Sequence, residues 1–281
     1  MRREALRRAV RSAFSVRQPQ PRVSVPGSVI ADILSKKDLL VHKDLATHIV
    51  LQYLAKHQKV ISELGKEHFL KTKSYDEMKK WVRQEPRVLV GMFVVESDVL
   101  KLLDECTTTI LAAHRSTAER LDYYPELYAA LFGEKKPSAI LDICAGLNPC
   151  SYEYLGCKPV YYAVDVSPQL MDFVTKFFQK QKIPGKAWSA DVTTITEWPD
   201  TDTAFIFKGT DVLERIKYGY GDTLLEMLGN RRIIVSFATA TISGKREISL
   251  KKRFWVERWC TQHKRAFRVH DIPGERFYII A

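Results

Sequence analysis

The chain is short of several things whose presence would settle its class. Its five cysteines (Cys106, Cys144, Cys150, Cys157 and Cys260) are an odd set with no CxxC pair in 281 residues. Zinc spacing is therefore absent and a disulfide framework is disfavoured, so a reducing, cytoplasmic compartment is expected and a metal site is not. No apolar run approaches the roughly 18 residues that cross a bilayer. The longest, Val88 to Val95, is broken by Gly91 and reads as a buried segment. No Gly-Lys-Ser/Thr ending marks a Walker loop, and no GxGxxG run marks an ordinary dinucleotide site. Internal repeats and long low-complexity segments are missing. Acids are in deficit too: 33 against 44 Lys and Arg, for a net charge of +11. Such an excess favours polyanion partners, nucleic acid before others, and no membrane partner. A monomer is expected.

What is there divides into three. In residues 1–28, Arg2, Arg3, Arg7, Arg8, Arg11 and Arg17 face one early acid, Glu4, with Leu6, Val10 and Phe14 at helical spacing. The pattern suits an organelle transit peptide, a basic arm on phosphates or a frayed tail alike. Pro19, Pro21, Pro26 and Gly27 then read as a linker. Residues 29–112 read as a helical domain, because Ile30, Ile33, Leu34 and then Leu45, Ile49, Val50, Leu54 recur at three-to-four spacing. Lys71, Lys73, Lys79, Lys80, Arg83 and Arg87 cluster there around Trp81, either as a solvated face or as a phosphate-facing surface.

Residues 113–281 form the third part, in which short β-rich runs alternate with helical ones from residue 138 onward. The strands are expected at Ala139 to Cys144, Val160 to Asp165, Lys186 to Ala190, Thr203 to Lys208, Arg231 to Phe237, Ala266 to His270 and Arg276 to Ile280. Helices are expected at Pro168 to Gln181 and Thr210 to Leu228. Alternation of this kind implies an α/β fold with a mostly parallel sheet between helices. The short link through Pro273 and Gly274 turns the last two strands into an antiparallel hairpin.

The chemistry-bearing residues gather at strand ends. Ile143-Cys144-Ala145-Gly146-Leu147-Asn148-Pro149 closes the first strand with small residues, which let a ligand approach the backbone. Asp165 ends the second strand, placed to accept from ribose hydroxyls. Asp191 follows the third, where a carboxylate suits an exocyclic amino group; each acid alone also suits a helix cap. Upstream, His114-Arg115-Ser116-Thr117-Ala118-Glu119-Arg120 offers either a helix cap or, in Arg120, a guanidinium fork for a carboxylate.

Three stretches occur together in order: His-x-Ser-Thr-x-Glu-Arg, Leu-Asp-x-x-x-Gly-x-Asn-Pro, and Val235-Ser236-Phe237 with Ser243-Gly244-Lys245. With Phe207-Lys208 and Val212-Leu213-Glu214, they resemble the aminoglycoside-resistance methyltransferases of small-subunit ribosomal RNA, the Arm/Rmt family, over residues 110 to 260. The resemblance implies a class I (Rossmann-like) methyltransferase domain of seven strands behind an N-terminal helical RNA-binding domain. It implies S-adenosyl-L-methionine as cofactor, small ribosomal subunit RNA as partner, and methyl transfer to guanine nitrogen-7 in the decoding site. Carried over, His114, Arg115 and Ser116 lie beside the cofactor and Arg120 holds its carboxylate. Ala145 and Gly146 face the methionine part, Asp165 the ribose, Asp191 and Val192 the adenine. Phe207 walls the pocket and Phe93 closes over it. Lys71 to Arg87, with Lys245 and Arg246, position phosphates. No general base is expected, because guanine nitrogen-7 carries a lone pair and no proton. Three departures stand out: Arg115 where a small residue is usual, Cys144 where a glycine is usual, and Arg246-Glu247-Ile248 after Lys245. The alternatives are a methyltransferase for another structured RNA and a non-catalytic RNA-binding or ribosome-assembly protein on the same fold.

Overall fold

The computed structural model describes residues 23–35, 41–89, 99–240, 248 and 254–281, with the side chains of residues 85–89 and 215 left aside. Phe93, Lys245, Arg246, the Arg87 side chain and the arginine-rich segment before residue 23 lie outside the described residues.

Seven strands form one sheet in the order β3-β2-β1-β4-β5-β7-β6. They are β1 (Ala139–Ile143), β2 (Val160–Asp165), β3 (Gly185–Ser189), β4 (Thr203–Phe207), β5 (Arg232–Ala238), β6 (Phe267–Ile272) and β7 (Glu275–Ile280). The first five run parallel, and β7 pairs antiparallel with both β5 and β6. Strands covered on both faces need apolar side chains at consecutive positions, and β4, Thr-Ala-Phe-Ile-Phe, is buried throughout. Phe205, Phe207 and Phe277 face one core, while Ala204, Ile206 and Tyr278 face the other. Gly274 carries the hairpin turn at φ +82°, in the left-handed region a side chain disfavours.

Three expected strands, those ending at Cys144, Ala190 and Lys208, run one residue too far. Cys144 (φ 60°) and Lys208 (φ 56°) leave the extended conformation, so β1 and β4 end one residue earlier, and β3 ends at Ser189. A further difference concerns a helix. The expected span from Thr210 to Leu228 is two helices, Thr210–Ile216 and Tyr220–Leu228. The chain breaks at Gly219 (φ +75°), and the Glu214 carboxylate accepts from the backbone N–H of Gly219 at 2.8 Å and Gly221 at 2.7 Å, capping the second helix from the first.

The N-terminal part packs Gly27–Leu34, Lys43–Lys56 and Lys73–Leu89 around Val29, Ile33, Leu45, Ile49, Tyr75 and Met78. Val23 and Val25 pack against this core, so folded chain begins inside the segment expected as a tail. At the other boundary, Val99, Ile110 and Leu111 are buried in the core of the sheet with Tyr124 and Leu127. Residues 99–112 thus pack with the sheet rather than with the N-terminal helices. The bundle rests on the carboxyl side of the sheet: His42 N–H donates to the Val166 carbonyl at 2.7 Å, and Gln52 Nε2 to the Ile216 carbonyl at 2.6 Å. No described helix is long and apolar enough to cross a membrane.

Candidate functional site

Strand order reverses between β1 and β4, and open parallel sheets bind ligands at that switch point, beyond the carboxyl ends of the strands. A cleft lies there. Its lining comes from the ends of β1 to β4 (Cys144, Asp165, Asp191, Phe207, Lys208), from His114 and Ser116, and from Val212, Leu213 and Ile216 on the helix after β4. Ile216 also belongs to the core of the N-terminal bundle, and Val166 and Val212 pack against it. The bundle therefore backs one wall of the cleft.

The turn after β1 shapes the floor. Gly146 has φ +51°, and a Cβ there would meet the His114 ring at 2.9 Å, so only glycine lets the imidazole lie against the turn. Cys144 has φ 60°, and a Cβ on Gly209 would meet its Cβ at 2.8 Å. The thiol at the first position is thus matched by the missing side chain at the second. Burial pushes the Cys144 thiol well above its ordinary pKa, with Asp165, Asp142 and Asp191 adding to it, so it is a neutral wall.

The acids divide by role. Asp165 takes the Gly146 N–H on one oxygen and the Ser167 N–H on the other, both at 3.0 Å. Burial raises its pKa, and those N–H groups pull it back. Asp191 accepts from Thr193 N–H at 2.9 Å and from its hydroxyl at 2.8 Å, both on Oδ1. Its Oδ2 is buried with no hydrogen-bond partner among the described residues. Asp142 does not line the cleft. Its Oδ2 accepts from Asn148 Nδ2 at 2.9 Å and from the Tyr161 hydroxyl at 2.7 Å, which braces the β1 turn from below. Burial pushes Asp142 up to about 7.

A buried ion cluster borders the cleft. Arg120 donates from Nε and Nη2 to the two carboxylate oxygens of Glu275, at 2.9 and 2.8 Å. Its third nitrogen reaches Asn148 Oδ1 at 3.4 Å, and its plane lies 4.9 Å from the Phe207 ring. Lys208 pairs with Glu275 at 3.1 Å and with Glu119. Burial alone would raise Glu275, but Arg120 and Lys208 hold it below the usual carboxylate range. Burial lowers His114 to about 3, with Arg120 and Lys208 adding to it, so its imidazole is neutral.

Of the residues expected beside a cofactor, His114, Ser116, Asp165, Asp191, Val192 and Phe207 line the cleft, whereas Arg115, Arg120, Ala145 and Gly146 do not. The Arg120 fork, expected to hold a ligand carboxylate, is filled by Glu275; Arg115 sits 3.8 Å from Glu119. Sequence reasoning missed Glu275 and gave Lys208 no role in the site. Glu275 stands 155 residues from its partner, so no local pattern signals the pair. Lys208, directly after the fully buried β4, was visible as a charged strand end.

The basic cluster on Lys73–Leu89 also divides. Arg83 donates to the Ile33 carbonyl at 3.0 Å and the Asp32 carbonyl at 2.7 Å, closing the last turn of Gly27–Leu34. Lys79 lies 3.5 Å from Asp32 and 3.6 Å from Asp76. Both cations are engaged inside the bundle. Lys71, Lys73 and Lys80 are exposed.

The family model described as ribosomal RNA methyltransferase (FmrO) matches residues 94–269, well over half of the chain. The 16S rRNA (guanine(1405)-N(7))-methyltransferase of Frankia casuarinae is 28% identical over 176 residues, covering 60% of this chain and 62% of that protein. The protein of the same name from Serratia marcescens is 33% identical over 135 residues, covering 48% and 53%. The match thus spans less than two thirds of either relative's length. The crystal structure of the 16S rRNA methyltransferase RmtF in complex with S-adenosyl-L-homocysteine superposes with a TM-score of 0.71 at 20% identity, over 90% of this chain and 96% of that one, which establishes the shared fold. The family match extends across the switch-point cleft and the turn beneath it, and the protein belongs to the ribosomal RNA methyltransferase (FmrO) family.

Proposed function

We propose that the protein uses S-adenosyl-L-methionine to methylate small-subunit ribosomal RNA at nitrogen-7 of one decoding-site guanine, the counterpart of the guanine for which its relatives are named. The observation that carries the reading is the set of hydrogen-bond acceptors in the cleft. Asp165 at the end of β2 suits ribose hydroxyls, and Asp191 keeps a buried oxygen without a partner where an exocyclic amino group has a use for one. Val192, Leu213 and Phe207 supply apolar walls for a flat base. When bound, the cofactor supplies an electrophilic sulfonium methyl group.

The chain's own residues then position and exclude rather than exchange protons. Guanine nitrogen-7 attacks with a lone pair that carries no hydrogen, so no side chain has a proton to remove. Neutral His114, packed against Gly146, contributes shape without a charge that would repel a cation. Alignment inside a dry cleft is the main source of rate. The guanine reaches the cleft by leaving its stack, and Lys71, Lys73 and Lys80 on the adjoining bundle offer ammonium groups to nearby phosphates. The reading sets the enzyme among cytoplasmic ribosomes, acting as a monomer, with aminoglycoside resistance as the consequence of the modification.

The test is incubation of purified protein with isolated small ribosomal subunits and radiolabelled S-adenosyl-L-methionine, followed by reduction, aniline cleavage and primer extension. A label at a single decoding-site guanine is the expected result. Label elsewhere in the RNA would overturn the target, and no label with any subunit preparation would overturn the activity.

A further inference from the structure

We propose that Tyr218 and Phe254, two exposed aromatic side chains outside the cleft, are stacking platforms for unpaired bases of the small-subunit RNA beside the target guanine. The inference rests on the RNA reading above and adds a recognition surface to it.

Topology brings the two together. The helices Tyr220–Leu228 and Phe254–Gln262 lead into β5 and β6, which run in the same direction because β7 is antiparallel to each. The two helices lie side by side and share one core, Tyr220, Leu224 and Leu228 with Val256, Trp259 and Cys260. Their starts meet where a Cβ on Gly221 would touch the Trp255 ring at 2.7 Å, and farther along His263 lies 3.8 Å from Glu226. Both starts are on the cleft side of the sheet: the Tyr220 hydroxyl donates to the Val192 carbonyl at 2.7 Å, beyond β3, and Trp255 stands edge-on to Phe237 near the end of β5. Tyr218 comes two residues before the first helix and Phe254 opens the second.

Their aromatic neighbours do the packing and leave these two free of it. Tyr220 is buried and Trp255 fills the space above Gly221, whereas Tyr218 is 82% and Phe254 48% exposed. The loop that carries Tyr218 is held in place all the same. Gly219 adopts φ +75°, and the backbone N–H groups of Gly219 and Gly221 both donate to the Glu214 carboxylate. Aromatic side chains shown on held backbone have few torsions to lose when a flat partner arrives.

The surroundings choose a nucleic acid over a protein partner. Lys217, directly before Tyr218, and Arg258, one helical turn after Phe254, are both exposed. Of the acids on the same two helices and the loop before them, Glu214 is occupied by backbone N–H groups and Glu257 accepts from the Tyr278 hydroxyl at 3.0 Å; Asp222 is left, facing Arg258. In the sequence, Phe254 follows directly on Lys251-Lys252-Arg253. Aromatic faces set among cations suit unpaired bases and their phosphates. Ile216, two residues before Tyr218, lines the cleft, so a base stacked on Tyr218 adjoins the one that enters.

The experiment is equilibrium binding of the full chain to isolated small ribosomal subunits over a series of salt concentrations. Tyr218→Ala and Phe254→Ala are each expected to weaken binding by about fivefold to a hundredfold, the worth of one stacked base. The salt dependence should stay as it is, because no phosphate contact is removed. Tyr218→Trp and Phe254→Trp are expected to bind as the intact protein does, whereas Tyr218→Leu and Phe254→Leu stay weak. Denaturant midpoints and calorimetric affinity for S-adenosyl-L-homocysteine should be unchanged in all six, since both positions are exposed and outside the cleft. Unchanged binding in either alanine variant would overturn the pair. Recovery with leucine as full as with tryptophan would overturn stacking and make the corner an apolar contact with protein. Failure of the intact protein to bind the subunits at all would overturn the RNA reading itself, and this inference with it.

Discussion

The cleft and the N-terminal bundle both carry charge, but they treat it in opposite ways. Around the cleft, four ionisable groups lie at the end of the sheet and neutralise one another: Arg120, Lys208, Glu275 and Glu119. On the bundle, exposed lysines stand next to cations that have been drawn into structural work, with Arg83 on two carbonyls and Lys79 on two aspartates. The comparison teaches that a count of basic residues overstates a phosphate-binding surface. Charges that hold the fold and charges left exposed to solvent alternate along one helix.

The largest effect is expected from the buried pair. Arg120→Ala should destabilise the protein by about 3–5 kcal/mol, because it strands a carboxylate in the interior. Denaturant melts measure this, and an unchanged midpoint would mean the cluster is not a structural element at all. A second contrast is in pH. His114 has a folded pKa of about 3 against 6.5 when free, so the unfolded chain binds its proton first. The stability it contributes is complete above pH 6.5 and is lost as pH falls from there toward 3. His114→Gln should flatten that part of the stability profile; an identical profile would show that the imidazole is not shielded.

Smaller effects are expected in the bundle. Arg83→Ala should cost about 1–2 kcal/mol through two lost carbonyl contacts, with the affinity for S-adenosyl-L-homocysteine by calorimetry nearly unchanged. A large drop in that affinity would mean the bundle and the cleft are one cooperative unit. Smallest in stability is charge reversal of Lys71, Lys73 and Lys80, expected to stay within about 0.5 kcal/mol. The same variant should bind small-subunit RNA more weakly and with a shallower salt dependence. Unchanged RNA binding would remove this face from the interface.

Much of this was legible from pattern. Val160–Asp165 and Pro168–Gln181 fall where alternation and helical spacing put them, and Pro273-Gly274 marks the hairpin. Asp165 and Asp191 reach the cleft because a strand end is a place the sequence can specify by itself. Local chemistry misled at the helix after β4, whose apolar spacing continues through a glycine that breaks it. At Arg120, where the motif and the fork shape both point to a ligand, nothing local signals the Glu275 carboxylate that fills the fork.

The physical reason is range. Periodicity, small-residue turns and acids at strand ends are statements about a few neighbouring residues, and they were enough to specify an α/β sheet with a cleft beyond its strands. Which cation meets that cleft depends on β7 lying against β5, so that Glu275 arrives beside Arg120 from 155 residues away. It also depends on the bundle seating Gln52 on Ile216, which sets one wall of the cleft. Pairings of that kind follow from the closing of the whole chain, and only the tertiary structure decided them.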